Sequence, residues 1–204
     1  MSAATSLVPP PATTILDWLR VPESRRSEFI DGRIVFYAMP GPRHGDTQGS
    51  VFTALAPHFK RRGDASRPGG WWLSQEVDME LDGLGCRPDL LGWRRDRHPA
   101  LPTTDARGLV TAVPDWICEV LSPSTATMDL GRKRVAYFQS GVAHYWIADP
   151  DRRCITALRR TAEGYVIDNV VNAGERVRLA PFDAIEIDLD DVFEPAAPEF
   201  IPGE

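Results

Sequence analysis

Along this chain, segments whose apolar residues recur every second position give way to segments with apolar residues at helical spacing, and Gly, Pro and Asp mark most of the changes. The first 14 residues, rich in Pro, Ala, Ser and Thr, predict a loose arm. It precedes a single domain over 15–194, with 195–204 as a tail. ILDWLRVP predicts a short helix stopped by Pro22. In SEFIDGRIVFYAM the alternation pivots on Asp31-Gly32, a dipeptide suited to a tight turn, so a hairpin is expected with Glu28 on its first arm. After the Pro/Gly break at 40–42, HGDTQGSVFTALAPHFKRRG puts Val51, Leu55 and Phe59 on one helical face, with Pro57 expected to bend or shorten the helix.

Farther on, GGWWLSQEVDMEL and GCRPDLLGW predict two strands joined by DGLG, and the Pro-rich RRDRHPALPTTDARG predicts a surface loop. VPDWICEVLSPST reads as a central strand over Asp115 to Leu121, and the hydroxyls of SPST are candidate caps for the next helix. That helix is expected from about Met128 to Ser140, with Val135 and Phe138 inward and Gly141 as its stop. HYWIADP and CITALRR form another expected hairpin. GYVIDNVV, the segment around Val177 and AIEIDLDDVF add strands and a final turn. The order gives an α/β (α+β) fold, a mixed β-sheet core flanked by helices with additional β-hairpins.

The pattern fails conspicuously at Glu119, a carboxylate among Trp116, Ile117, Cys118, Val120 and Leu121. Ionising an acid in such surroundings is costly unless it is paired, hydrogen-bonded or bound to a metal. A buried acid satisfied by Arg or backbone donors accounts for Glu119 alone. Asp89 changes the balance, because it too stands beside an apolar run, Leu90, Leu91 and Trp93. Two strands that each carry one carboxylate at the core's edge can build an oxygen-ligand site for Mg²⁺ or Mn²⁺.

Lys133 lies on the helix after the Glu119 strand and can swing back over that strand's end. Its spacing from Asp129 equally fits a solvated helix pair, the acid four residues N-terminal to the base. Arg132 and Arg134 beside it make a local basic cluster able to receive phosphate. Glu28, His44 and Gln48 are polar groups at element ends to which chemistry could extend; Gln75 and Glu76 are strand neighbours that face opposite ways.

Composition narrows the setting. The chain of 204 residues is 43% hydrophobic and 25% charged, as expected of a globular protein. No apolar run approaches a membrane span, and MSAATSLVPPPATT lacks the features of a signal peptide, so a cytoplasmic location is expected. Cys86, Cys118 and Cys154 offer neither a disulfide framework nor a zinc site. A net charge of −6 speaks against a protein that coats nucleic acid through bulk charge, so any such contact must be local. GxSxG, GxGxxG and HxxxH patterns are absent. The GVAHYWIADP region and Trp71-Trp72 are candidates for a homodimer contact.

The ordered blocks EFIDGRIV, GPRHG, RPDLLGW, PDWICEVLSPST, DLGRKRVAYFQSGVAHYWIADP and PFDAIEIDLDDVF resemble the Uma-type endonuclease family, from about Trp18 to Phe193. That family belongs to the restriction-endonuclease-like PD-(D/E)XK superfamily. The resemblance implies that Asp89 is the acid of the PD element, Glu119 that of the (D/E)XK element, Glu28 the early glutamate and Lys133 a displaced lysine. The chain departs from the literal motif at Leu121, where a lysine would follow Glu119 and Val120, so Lys133 must supply that charge from the helix. Pro114-Asp115 also reads as a PD pair, but Asp115 lies on the same strand as Glu119 and is a poor partner.

What the resemblance implies is phosphodiester hydrolysis, with DNA as the expected partner. Catalytic roles fall to Glu28, Asp89, Glu119 and Lys133, Mg²⁺ or Mn²⁺ being held by Asp89, Glu119 and the Val120 carbonyl. His44, Gln48 and Arg132 are candidate substrate contacts. An inactive binding module that keeps the nuclease fold is the alternative, favoured by Leu121 and the acidic balance. A hydrolase of another phosphoester would share the metal site and differ in its cleft.

Overall fold

The computed structural model describes residues 13–63 and 68–195, so most of the expected arm and tail lies outside the described residues. Helix α1 (Ile15–Trp18) opens with a capping box in which Thr14 and Asp17 satisfy each other's main chain. The Asp31-Gly32 pivot makes the expected hairpin of β1 (Ser27–Ile30) and β2 (Arg33–Phe36). Both turn residues take positive φ, 50° and 73°, which matches the twist of the flanking strands. Helix α2 (Pro42–Phe59) begins at Pro42 rather than after it, because a first-turn position asks nothing of the missing N–H. Pro57 does not cut the helix short; it falls in the last turn, where only two more residues follow.

The two long strands expected between Gly69 and Trp93 are each divided. β3 (Trp71–Gln75) and β6 (Leu90–Arg94) pair with each other, while β4 (Met79–Leu81) and β5 (Leu84–Cys86) form the tip around Asp82-Gly83. The division comes at Glu76, whose φ is 49°, and at Pro88, whose carbonyl takes the Glu76 N–H at 3.1 Å. Beyond it the tip leaves the main sheet and completes a four-stranded sheet in the order β2-β1-β5-β4.

The central strand is β7 (Trp116–Val120), buried along its whole length. It is followed by α3 (Ala126–Met128), a π-helical turn over Asp129–Lys133 and α4 (Arg134–Ser140), which ends on Gly141 in the left-handed conformation. Strands β8 (His144–Asp149), β9 (Cys154–Arg160) and β10 (Tyr165–Asn172) complete a six-stranded sheet ordered β10-β9-β8-β7-β6-β3. Its β7–β8 pair is parallel, which requires the helical crossover between them. β11 (Arg176–Val177) and β12 (Ile187–Asp188) form a separate small ladder.

Each face of the main sheet has its own core. Val51, Leu55 and Phe59 of α2 cover one face together with Trp116, Cys118 and Val120; Phe182 sits against Trp71, Trp116 and Trp146 there, its ring 4.8, 4.9 and 5.7 Å from theirs. Ile117, Leu91, Trp93, Tyr137 and Tyr145 fill the other. Period-two alternation therefore sends Ile117 and Glu119 to the face covered by α4 and the small sheet.

Three expectations are corrected here. The SPST hydroxyls do not cap the helix, since the Ser122 hydroxyl bonds those of Ser124 and Thr125 at 3.2 and 3.0 Å while its carbonyl accepts the Thr125 and Ala126 N–H groups. Val135 is exposed and Phe138 only half-buried; the inward positions are Asp129, Lys133 and Tyr137, four residues apart. Of the side chains expected at a dimer contact, Trp71, Tyr145 and Trp146 are buried in the core, whereas Trp72 and His144 are half-buried. The exposed apolar side chains of the sheet are instead Val166, Ile167 and Val170 on its edge strand. No helix among the described residues is long and apolar enough to cross a membrane.

The small sheet meets itself at one close approach, where Gly85 pairs with Phe29, the neighbour of Glu28. A Cβ on Gly85 would stand 2.8 and 2.9 Å from the buried Trp18 ring and 3.0 Å from the Phe29 Cβ. Gly85→Ala is expected to destabilise the fold by about 1–3 kcal/mol through overpacking. Thermal or urea unfolding measures this, and an unchanged midpoint would contradict it.

Candidate active site

The register between β6 and β7 builds the first half of the site. Leu91 pairs with Ile117 and Leu90 with Cys118, and one step farther along the two strands Asp89 stands opposite Glu119. Pro88 ends the ladder at that point, so the two acids lie at the end of the sheet rather than in its middle. The Val120 N–H donates to Asp89 Oδ2 at 2.8 Å, and the Asp89 N–H donates to Glu119 Oε2 at 3.3 Å.

Lys133 builds the second half. The π-helical turn keeps Asp129, Lys133 and Tyr137 on the inner face, and such widened turns recur at functional sites. The Lys133 ammonium lies 2.7 Å from Glu119 Oε1, 3.0 Å from Glu28 Oε1 and 3.0 Å from Asp129 Oδ1. The Tyr137 hydroxyl donates to Glu119 Oε1 at 2.6 Å, and the Tyr145 hydroxyl donates to the Asp129 carbonyl at 3.0 Å. Both members of the Asp129–Lys133 pair are buried, which rules out the solvated surface pair that their spacing also fits. The ammonium beside Glu119 thus comes from the helix, not from the position of Leu121.

Around Asp89 stand three groups from two other segments. Arg26 Nη2 donates to Asp89 Oδ1 at 2.8 Å. His44 Nε2 is 3.3 Å from the same oxygen, close enough for attraction but off the axis of a hydrogen bond, and neither ring nitrogen has a hydrogen-bond partner. Gln48 Nε2 donates to the Asp89 carbonyl at 3.0 Å and approaches Glu76 Oε1 at 3.4 Å. Glu28, Asp89, Glu119, Lys133, His44 and Gln48 therefore converge. Arg132 does not; it is 63% exposed and pairs with Asp31 at 2.5 Å, so the basic cluster around Lys133 is not a shared surface. Asp115 accepts from the Arg94 N–H at 2.8 Å and pairs with Arg97 at the opposite end of β7.

Sequence reasoning passed over Arg26, Tyr137 and the inward role of Asp129. Their signals were spacing: Arg26 is two residues before Glu28 and so shares its face, and Asp129, Lys133 and Tyr137 recur every four residues.

Charge explains how the cluster behaves. Four carboxyl groups, Glu28, Asp89, Glu119 and Asp129, face two permanent cations, Lys133 and Arg26. Burial pushes the Glu119 carboxyl well above its usual range, and repulsion from Asp129, Asp89 and Glu28 adds to that against the pull of Lys133. Asp89 ends below its usual range, because His44, Arg26 and Lys133 outweigh the opposing effect of burial. Lys133 is held well above its usual value: burial works against its charge, but Asp129, Glu119 and Glu28 prevail.

A divalent cation suits this donor set by its chemistry. The acids outnumber the permanent cations, and their donors are hard oxygens. Among the described residues no three His, Cys, Asp or Glu side chains are grouped to cage a metal by themselves.

A model of the Uma2 family, described as "Putative restriction endonuclease", matches residues 13–190 of the chain. Among solved structures, "a putative nuclease belonging to DUF820" from Anabaena variabilis aligns with a TM-score of 0.66 and 21% identity, covering 88% of this chain and 96% of that one. No curated protein matches. The likeness shows a shared mixed α+β fold.

Removing Lys133 leaves three buried carboxyl groups without their common cation. Lys133→Met is expected to cost about 3–5 kcal/mol, the usual penalty for an uncompensated buried charge. Adding Glu119→Gln should recover part of that loss, so that the double variant is more stable than Lys133→Met alone. Urea unfolding of the four proteins in the cycle reads this; additive effects would show that the two side chains are not coupled.

Proposed function

This chain belongs to the Uma2 family, described as "Putative restriction endonuclease", and from that premise we propose that it is a metal-dependent endonuclease hydrolysing phosphodiester bonds, of DNA in preference to RNA. A nuclease role is what the family supports; metal dependence is an inference from the site, and DNA one from the family's description as a restriction endonuclease. The observation that carries the proposal is the convergence of Glu28, Asp89 and Glu119 with Lys133, whose ammonium lies 2.7 Å from Glu119 and 3.0 Å from Glu28.

Asp89 and Glu119, with the Val120 carbonyl and Glu28 as a further ligand, would hold Mg²⁺ or Mn²⁺. When bound, such an ion polarises the phosphate and lowers the pKa of a coordinated water. The chain's own residues do the rest. Lys133 keeps its proton, because its acidic neighbours raise its pKa, so its role is to orient the attacking water and to offset charge developing on the phosphoryl oxygens. Tyr137 fixes the Glu119 carboxylate from the far side, leaving Oε2 toward Asp89. Gln48 holds the Asp89 main chain in place. His44, itself buried, sits behind Asp89 in the first turn of α2 and is not open to substrate as its place in the sequence suggested.

The alternative of an inactive binding module drew on Leu121 and the acidic balance; an ammonium 2.7 Å from Glu119 weighs against the first of these grounds. Asp89→Ala and Glu119→Gln are each expected to lower Mg²⁺- or Mn²⁺-dependent nicking of supercoiled plasmid by at least about 100-fold while leaving the fold intact by circular dichroism. A wild type that cuts neither DNA nor RNA with either ion would refute the proposal.

A further inference from the structure

The four carboxylate oxygens of Asp89 and Glu119 are not equally free. Asp89 Oδ2 accepts the Val120 N–H at 2.8 Å, a bond that ties β6 to β7. Glu119 Oε1 carries both Lys133 and Tyr137, at 2.7 and 2.6 Å. Glu119 Oε2 is lightly held, by the Asp89 N–H at 3.3 Å. The remaining oxygen, Asp89 Oδ1, accepts its one hydrogen bond from Arg26 at 2.8 Å, with His44 Nε2 3.3 Å away and off the hydrogen-bond axis. A cation bound between these two acids must therefore compete with Arg26 and not with Lys133.

The two basic residues differ in how firmly they are held. Lys133 is bound to three carboxylates and its side chain is 3% exposed. Arg26 makes one carboxylate contact, reaches the rim with 19% of its side chain exposed, and its buried Nη1 has no hydrogen-bond partner. A guanidinium that gives up Asp89 would have both ends unpaired in a partly buried position, which is costly until another anion is supplied. Its planar fork suits a phosphate, which can take two parallel N–H bonds.

We propose that Arg26 is the resident counter-cation of Asp89, that it yields Oδ1 when a divalent ion binds, and that it then pairs with a phosphate oxygen of the nucleic acid. The second step rests on the nuclease reading above; the first does not. Arg26 thus couples metal loading to substrate binding. A merely structural arginine would support the Asp89 carboxylate, so its loss would weaken metal binding rather than strengthen it.

The test is calorimetric titration of Mn²⁺ into wild type, Arg26→Gln and Arg26→Lys, each checked by thermal unfolding, together with binding of a short DNA duplex in Ca²⁺. Arg26→Gln is expected to bind Mn²⁺ about ten-fold more tightly and DNA about ten-fold more weakly, a coupling of ordinary size. Arg26→Lys should keep much of the competition for Asp89 and recover only part of the DNA affinity, because an ammonium lacks the fork. Unchanged or weaker Mn²⁺ binding by Arg26→Gln overturns the proposal, as does unchanged DNA affinity. Should the wild type bind Mn²⁺ yet cut no nucleic acid, the nuclease reading falls while the competition at Asp89 is still decided by the Mn²⁺ titrations.

Discussion

One buried ammonium, that of Lys133, answers three carboxylates that arrive from separate parts of the fold. None of these groups is tolerable there alone, since a buried charge without its partner costs several kcal/mol. Glu28 comes from the small sheet, Glu119 from the central strand and Asp129 from the widened helical turn, so the small sheet, the main sheet and the crossover must dock together for any of them to be satisfied. The same requirement gives the π-helical turn a reason to exist. It faces Asp129, Lys133 and Tyr137 inward and leaves Leu130 and Val135 to solvent, against what hydrophobicity alone would choose.

The second half of the site follows a different logic. Asp89 Oδ1 is held by Arg26 at the rim and faced by a buried, misaligned His44, rather than by a network of three carboxylates on one cation. A rigid centre built on Lys133 and a yielding one built on Arg26 therefore meet across the Asp89–Glu119 pair. Firm placement of the acids and exchangeable occupancy of one oxygen are what the proposed uptake of a cation and a polyanion would require. Burial, with repulsion from the neighbouring carboxylates, pushes the Glu119 carboxyl well above its usual range.

Several features were legible because short-range rules decide them. The Asp31-Gly32 hairpin follows from turn chemistry, the Gly141 stop from a left-handed cap, and the buried WICEV strand from its apolar run. Glu119 was conspicuous because a carboxylate in such a strand demands an explanation, and Asp89 because it repeats the anomaly. Other features were not legible. Glu76 and Pro88 divide what looks like one hairpin between two sheets, and only the packing of the tip beside β1 makes that division favourable. The spacing of Asp129 and Lys133 fits a solvated pair as well as a buried one, and Arg132 next to it went to a surface partner instead of the site.

By itself the sequence determined which residues could not be ordinary: an acid inside an apolar strand, a second acid at the edge of another, and a lysine one helix away. Local chemistry is enough for that, because burial cost and turn preference act over a few residues. The tertiary structure alone decided who partners whom. Arg26 reaches Asp89 across 63 positions of chain and Lys133 collects acids from two strands besides its own helix. Such pairings depend on register and docking, through which distant charges come within about 3 Å and the cost of burying each one falls.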